Sequence, residues 1–166
     1  MSAPPIRATY TLVDHDDRAV TEASYRGRWQ LVQFGFTGCR VVCPRALAKL
    51  SGVLDEVDAV AGADALVPLY ITVDPERDSP EVLKAFLAGS HPRFTGLTGT
   101  TAQVEAAKSS FRIFTRRRAA PEGYDVAHTA ITYLLDPEGR PARHWADTVD
   151  GPVLRDDLIG LLEPAG

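Results

Sequence analysis

The sequence predicts an α/β protein built on a mixed β-sheet with helices on both faces. Three observations predict it. First, a run that is apolar on both faces, Trp29 to Phe36, leads into a helix-type pattern and then a second apolar run, Ala65–Val73. Strand, helix and strand with short links make a βαβ unit, with parallel strands and a right-handed crossover. Second, Thr129–Leu135, the turn Asp136-Pro137-Glu138-Gly139, Pro141–Ala146 and the striped helix Pro152–Leu162 make a ββα unit. Third, both cysteines of the chain, Cys39 and Cys43, fall at the first strand–helix junction.

Each element has its own signal. Residues 1–8 read as a loose lead-in. Thr9–Val13 alternates like a short strand, Asp14–Arg18 is a polar turn and Ala19–Ser24 is a return strand, which gives an N-terminal β-hairpin. Pro44 suits the first position of the helix after the cysteines, where its missing N–H costs nothing. Leu47, Leu50, Leu54, Val57 and Ala61 recur at three- and four-residue steps and form one apolar stripe, closed by Gly62 as C-cap. Asp74–Asp78 is a loop. Ser79 caps a helix starting at Pro80, with Val82, Leu83, Phe86 and Leu87 as its buried face. Phe94–Thr98 is a short strand, and Thr100 to Gln103 has capping-box spacing for a helix reaching about Phe111. Arg112–Arg118 reads as extended and Ala119–Tyr124 as a loop. In the last helix Leu154, Leu158, Leu161 and Leu162 face inward. There is no repeat or linker, so residues 1–166 form one domain, with 1–8 and 164–166 as flexible tails. A βαβ half followed by a ββα half, with cysteines at the first junction, describes a thioredoxin-like fold with an added N-terminal hairpin.

Composition narrows the function classes. With 166 residues, 24% charged and 45% hydrophobic, the chain has an ordinary globular make-up. A net charge of −4 argues against nucleic-acid binding, which needs a basic face. Met1–Ile6 shows no basic stretch followed by an apolar one, so no signal peptide is visible. The longest apolar run lies within Ala65–Val73, far short of the ~20 residues that span a membrane. The chain therefore reads as soluble, with no membrane segment. Two cysteines are too few for a disulfide scaffold in a chain of this length.

The cysteine pair suggests redox or metal chemistry, and its spacing alone fits two ordinary buried thiols as well. At a helix N-terminus the positive end of the dipole favours thiolate, which both disulfide exchange and soft-metal binding require. Two Cα atoms at i, i+4 near a helical turn are ~6 Å apart, within disulfide reach. The same pair can also hold one metal ion, so the spacing permits both chemistries. A metal would need a further ligand. His15 sits in an acidic turn, His91 before Pro92 in a loop, and His144 in the last strand; each reads as a surface residue. His128 stands immediately before Thr129–Leu135. If that strand is antiparallel to Trp29–Phe36, its start shares an edge with the cysteines. Two sulfurs and an imidazole favour copper, with zinc possible, although structural zinc wants a fourth ligand.

The residues Phe34-Gly35-Phe36-Thr37-Gly38-Cys39…Cys43-Pro44, then Thr72-Val73-Asp74-Pro75-Glu76-Arg77-Asp78-Ser79-Pro80, then Asp125-Val126-Ala127-His128 resemble the Sco/SenC family. The resemblance runs from about residue 9 to 162. It implies a thioredoxin-like fold and a copper-binding assembly protein of cytochrome c oxidase. It implies one copper ion, Cu(I) or Cu(II), held by Cys39, Cys43 and His128, with Asp74 close to the site. The implied partners are the copper-bearing oxidase subunit or another copper chaperone. The implied location is membrane-anchored, on the periplasmic or extracytoplasmic side. One departure stands out: the family has Pro and Asp after its first cysteine, where this chain has Arg40 and Val41.

Two other readings stay open. A thiol–disulfide oxidoreductase would use Cys39 and Cys43 as its redox-active pair. Against it, thioredoxin-type enzymes resemble one another in CxxC spacing and a facing proline, and here no proline lies between Pro121 and Pro137. A divergent family member that only binds a partner is the third. The run Arg116-Arg117-Arg118 reads as a solvated loop that could also meet an acidic partner.

Overall fold

The computed structural model describes residues 6–38, 42–62, 64–120, 123–128 and 131–162. Its central strand is the run that the sequence marks as apolar on both faces. This strand, β3 (Trp29–Gly35), follows the hairpin of β1 (Thr11–Asp14) and β2 (Ala19–Thr21), and every residue from Gln30 on is buried. α1 (Val42–Ala61) crosses over to β4 (Leu66–Thr72), which pairs parallel with β3, Trp29 opposite Leu66 and Gly35 opposite Thr72. α2 (Pro80–Ser90) crosses to β5 (Thr95–Thr98), parallel beside β4. On the other flank of β3 lies β8 (Ile131–Leu135), antiparallel, and then β9 (Pro141–Ala146). The sheet order is β2-β1-β5-β4-β3-β8-β9.

Alternation along β3 feeds two cores. Leu31 joins Leu66, Tyr70 and Leu134 under α1, α2 and α4 (Gly151–Leu162). Val32 and Phe34 join Leu69, Ile71 and Tyr133 under α3 (Thr101–Phe111). Leu47, Leu50, Leu54 and Val57 of α1 are all fully buried, so the predicted stripe is the packed one. Each fully buried Leu contributes about 2 kcal/mol of transfer free energy. Phe111 meets Phe34 and Tyr133 edge-on, with ring centroids 5.2 Å apart in both pairs. The buried glutamines of β3 are satisfied. Gln30 Oε1 accepts from Tyr10 Oη at 2.7 Å, and Gln33 Nε2 donates to Asp147 Oδ2 at 3.1 Å.

Several expectations change at element ends. β2 stops at Thr21 because Thr21 and Ser24 cap each other's backbone, starting a 3-10 turn over Glu22–Tyr25. α1 begins at Val42, so Pro44 is its third residue, still within the turn whose N–H groups have no helical acceptor. Val82 is 41% exposed rather than part of the buried face of α2, which rests on Leu83 and Leu87. In α4, Leu154 and Leu158 are buried while Leu161 and Leu162 are only partly so. The lead-in is fastened from Ile6 on: Arg7 N donates to Ser110 O at 3.0 Å, and Ala8 is fully buried.

The largest change is in the segment read as extended chain and loop. It is a hairpin of β6 (Thr115–Ala120) and β7 (Gly123–His128), a two-stranded sheet separate from the main one. α3 ends on Arg112 in the left-handed conformation, φ 59°, which turns the chain into β6.

Candidate metal centre

The cysteine segment follows from the end of β3. Because β4 is parallel to β3, both strands end at the same edge of the sheet, and the loop after Thr72 starts there too. β8 is antiparallel to β3, with Gln33 opposite Thr132, so β8 begins at that edge, as expected. β7 ends at His128, three residues before Ile131. At 3.8 Å per Cα step, position 128 lies within roughly 11 Å of the start of β8. His128 is thus the last residue of an added hairpin rather than the first of the core strand. Cys43 is the second residue of α1, in the positive first turn. Cys39, Arg40 and Val41 lie outside the described residues, as do the side chains of Cys43 and His128. At the level of the backbone, α1 with Cys43 starts at the sheet edge where β8 begins, three residues after His128.

Two supports flank this edge. The first is the loop after β4. Asp78 is fully buried, and its carboxylate accepts three hydrogen bonds. Thr37 N donates to Oδ2 at 3.0 Å, Thr72 Oγ1 donates to Oδ2 at 2.7 Å, and Thr37 Oγ1 donates to Oδ1. Thr98 Oγ1 donates to the Asp78 carbonyl at 2.8 Å. Asp74, 2% exposed, accepts from Arg77 Nε, and its own N–H donates to Thr72 Oγ1 at 2.9 Å. The Arg77 guanidinium lies 5.9 Å from the centre of the Phe36 ring, and a Cβ at Gly38 would stand 3.5 Å from Arg77 Nη2. Arg77, held by Asp74, thus abuts the residue before Cys39. The sequence singles out Asp74 but not Asp78, Arg77 or Thr37. The only signal for them is their place inside the second motif and beside the first cysteine.

The second support holds the hairpin. Thr115 pairs with His128 and Arg117 with Val126, which is buried. Lys108 of α3, 6% exposed, donates from Nζ to Thr115 Oγ1 at 2.6 Å and to Glu105 Oε1 at 2.7 Å. Arg117 Nη2 stands 3.3 Å from Glu76 Oε2, linking β6 to the Asp74–Asp78 loop. A cavity of about 170 Å³ lies between them, lined by Val73, Glu76, Lys108, Thr115, Arg117 and Val126 among others. Arg116 is exposed and lies in a strand, not in the loop the sequence suggested.

The other histidines are elsewhere. His15 Nδ1 accepts from Gly96 N at 3.1 Å, His91 caps α2 and lies 3.0 Å from Ser51 Oγ, and His144 is an exposed residue of β9. Among the described residues no group of three or more His, Cys, Asp or Glu could hold a metal ion, and no helix is long and apolar enough to cross a membrane.

The chain is similar to known proteins in sequence and fold. The family model described as SCO1/SenC matches residues 1–163. The human "Protein SCO2 homolog, mitochondrial" is 42% identical over 132 residues, 78% of this chain and 50% of that protein. The chain spans about half the length of the curated relatives it matches. The crystal structure of Arabidopsis thaliana ScoI with copper bound superposes with a TM-score of 0.89 at 30% identity, over 93% of this chain and 96% of that one. BsSco, described as a Sco-family cytochrome c oxidase assembly protein with a disulfide switch, matches with a TM-score of 0.75 at 27% identity, over 98% and 95% of the two chains. These matches bear out the thioredoxin-like fold predicted from the two halves of the sequence. The chain belongs to the SCO1/SenC family.

Proposed function

We propose that this chain is a copper-binding assembly factor. It carries one copper ion on Cys39, Cys43 and His128 for the dinuclear copper site of a cytochrome c oxidase subunit. The observation that supports the reading is that α1, which carries Cys43, starts at the sheet edge where β8 begins, three residues after His128, in a fold shared with a relative solved with copper bound. The donor set fits the cargo: two thiolates and an imidazole suit a soft or borderline copper ion, and three donors leave a position for a handover ligand. The helix N-terminus supports the thiolates, and Arg40 adds positive charge between them. That same charge opposes a bound cation, and Val41 stands where the family has an acid, so this chain holds copper less tightly than one with Pro and Asp at positions 40 and 41. Asp74 acts through Arg77, which it orients against Phe36 and Gly38. The partners are the copper-bearing subunit and a copper chaperone, on the extracytoplasmic side of a membrane.

Titration of the fully reduced chain with Cu(I), under competition with a chromophoric chelator, tests the reading. One ion per chain is expected, falling to none when Cys39 and Cys43 become Ser. Unchanged stoichiometry in that double variant would overturn it.

A second reading is favoured by the CxxxC pair at a helix N-terminus and by the disulfide switch described for BsSco. Cys39 and Cys43 together would lose two protons and two electrons to form a disulfide, while a substrate disulfide takes them up and becomes a dithiol. That activity would survive His128→Ala, whereas copper binding would not.

A further inference from the structure

We propose that Asp78 is a positioning residue for the cysteine segment, holding the approach to Cys39 against the end of β4. The inference rests on Cys39 being a copper ligand, as argued above, but the contacts that carry it are independent of the metal. Thr37, two residues before Cys39, is gripped at two atoms. Its N–H reaches Oδ2 of Asp78 at 3.0 Å, and its hydroxyl reaches Oδ1. The partner is 41 residues away in sequence, so the grip joins two loops that are distant along the chain. Asp78 is itself immobilised. It is fully buried, its N–H donates to Asp74 O at 3.0 Å, and its carbonyl accepts from Thr98 Oγ1 at 2.8 Å.

The carboxylate is matched to this task. A buried charge without good donors is costly, and here three donors from Thr37 and Thr72 converge on its two oxygens. Thr72 passes the connection on: its hydroxyl donates to Asp78 and accepts from the N–H of Asp74. Asp74 in turn holds Arg77 against Phe36 and Gly38. The segment Phe36–Gly38 is therefore held by two residues of the same loop, Asp78 at Thr37 and Arg77 at Phe36 and Gly38. A metal site built on a loop needs its ligands preset to well under 1 Å, and such buried polar contacts are what preset them.

Asp78→Asn keeps the shape but replaces one acceptor oxygen with a donor, which must face Thr37 or Thr72. Thr37→Val removes only the hydroxyl arm and spares the buried carboxylate its larger loss. The expected result for Asp78→Asn is a folded protein by circular dichroism, with Cu(I) affinity lowered about tenfold or more and faster amide exchange at Thr37 and Gly38. Thr37→Val should shift both in the same direction by less. The double variant should resemble Asp78→Asn, because the two residues act as one unit. If Asp78→Asn does not fold, Thr37→Val decides alone. A purely structural role would lower the unfolding temperature of the apo protein while leaving the affinity of the folded fraction and the Thr37 and Gly38 exchange rates unchanged; that outcome overturns the inference. Failure of the unaltered chain to bind Cu(I) overturns the copper reading instead, and amide exchange then decides the positioning role.

Discussion

The two supports of the candidate metal edge are built from different physics. On the cysteine side, Asp78 is fully buried and its charge is spent on three internal donors. On the histidine side, the hairpin β6–β7 rests on Lys108, on the buried Val126 and on an ion pair, Arg117–Glu76, whose side chains are each 55% exposed. Hydrogen bonds to a buried charge strengthen in a low dielectric, while an exposed pair is screened by water and salt. A two-stranded hairpin is also marginal by itself. The cysteine side therefore behaves as part of the core, and the histidine side as a hinged arm with a small opening free energy. For the copper site proposed above, that asymmetry would give one half preset and the other easier to open.

The asymmetry can be broken most severely at the base of the cysteine side. Gly35 ends β3, and a Cβ there would stand 2.4 Å from Tyr70 Oη and 2.8 Å from two ring carbons of Tyr70. Tyr70 is fully buried, so its ring has nowhere to retreat. Gly35→Ala should cost about 2 kcal/mol by overpacking. A urea midpoint lowered without change of slope would show it. An unchanged midpoint would mean that the end of β3 is looser than its burial implies.

Lys108→Met should act on the arm and spare the core. Methionine keeps the apolar stem of a residue that is 6% exposed, but it loses the bonds to Thr115 and Glu105. Amide exchange across Thr115–His128 should rise about tenfold, in line with the loss of a charged hydrogen bond of about 1.5 kcal/mol. Exchange in β3 and β4 should not change. Equal acceleration in both sheets would remove the distinction between arm and core.

A weaker effect is expected at Arg117→Gln. The pair with Glu76 is exposed, so a double-mutant cycle with Glu76→Gln should give a coupling below about 1 kcal/mol, fading at high salt. A coupling that survives salt would place this contact with the buried support instead.

The cysteine side was also the more legible in the sequence. β3, α1 and β4 announce themselves by apolar runs and a 3.6-residue stripe, and those signals arise from the same burial that packs them. Ser79 and Thr100 were readable because a helix cap is a local contact, spanning three residues. The hairpin was not readable. Thr115-Arg116-Arg117-Arg118 has no apolar alternation, so period-based reasoning reads it as extended chain followed by a loop and finds no pairing partner for it. The antiparallel run of β8 could be read and so placed its start near the cysteines, but the strand that ends at His128 went unseen. Asp78 was invisible as a clamp for a different reason: the contact from Thr37 spans 41 residues, and no local pattern encodes it.

The smallest effect expected lies in the scaffold, away from both supports. His91 caps α2 with its N–H on Leu87 O at 2.7 Å, and its Nδ1 lies 3.0 Å from Ser51 Oγ on α1, the helix that carries Cys43. Burial holds its pKa below the ordinary 6.5. The unfolded chain therefore binds this proton at higher pH than the folded chain does. Between 6.5 and the lowered value, the unfolded state holds more protons, so stability falls as the pH drops through that window and is fully present above it. Urea midpoints at pH 7 and pH 5 should differ more for the unaltered chain than for His91→Gln, whose amide can still meet Ser51. Carboxylates add their own slope to both proteins equally, so the difference between the two isolates the histidine. Copper affinity at pH 7 should be the same in both. A change there would mean that α1 transmits strain from its middle to its first turn, and that the cysteine side is set by its helix as much as by Asp78.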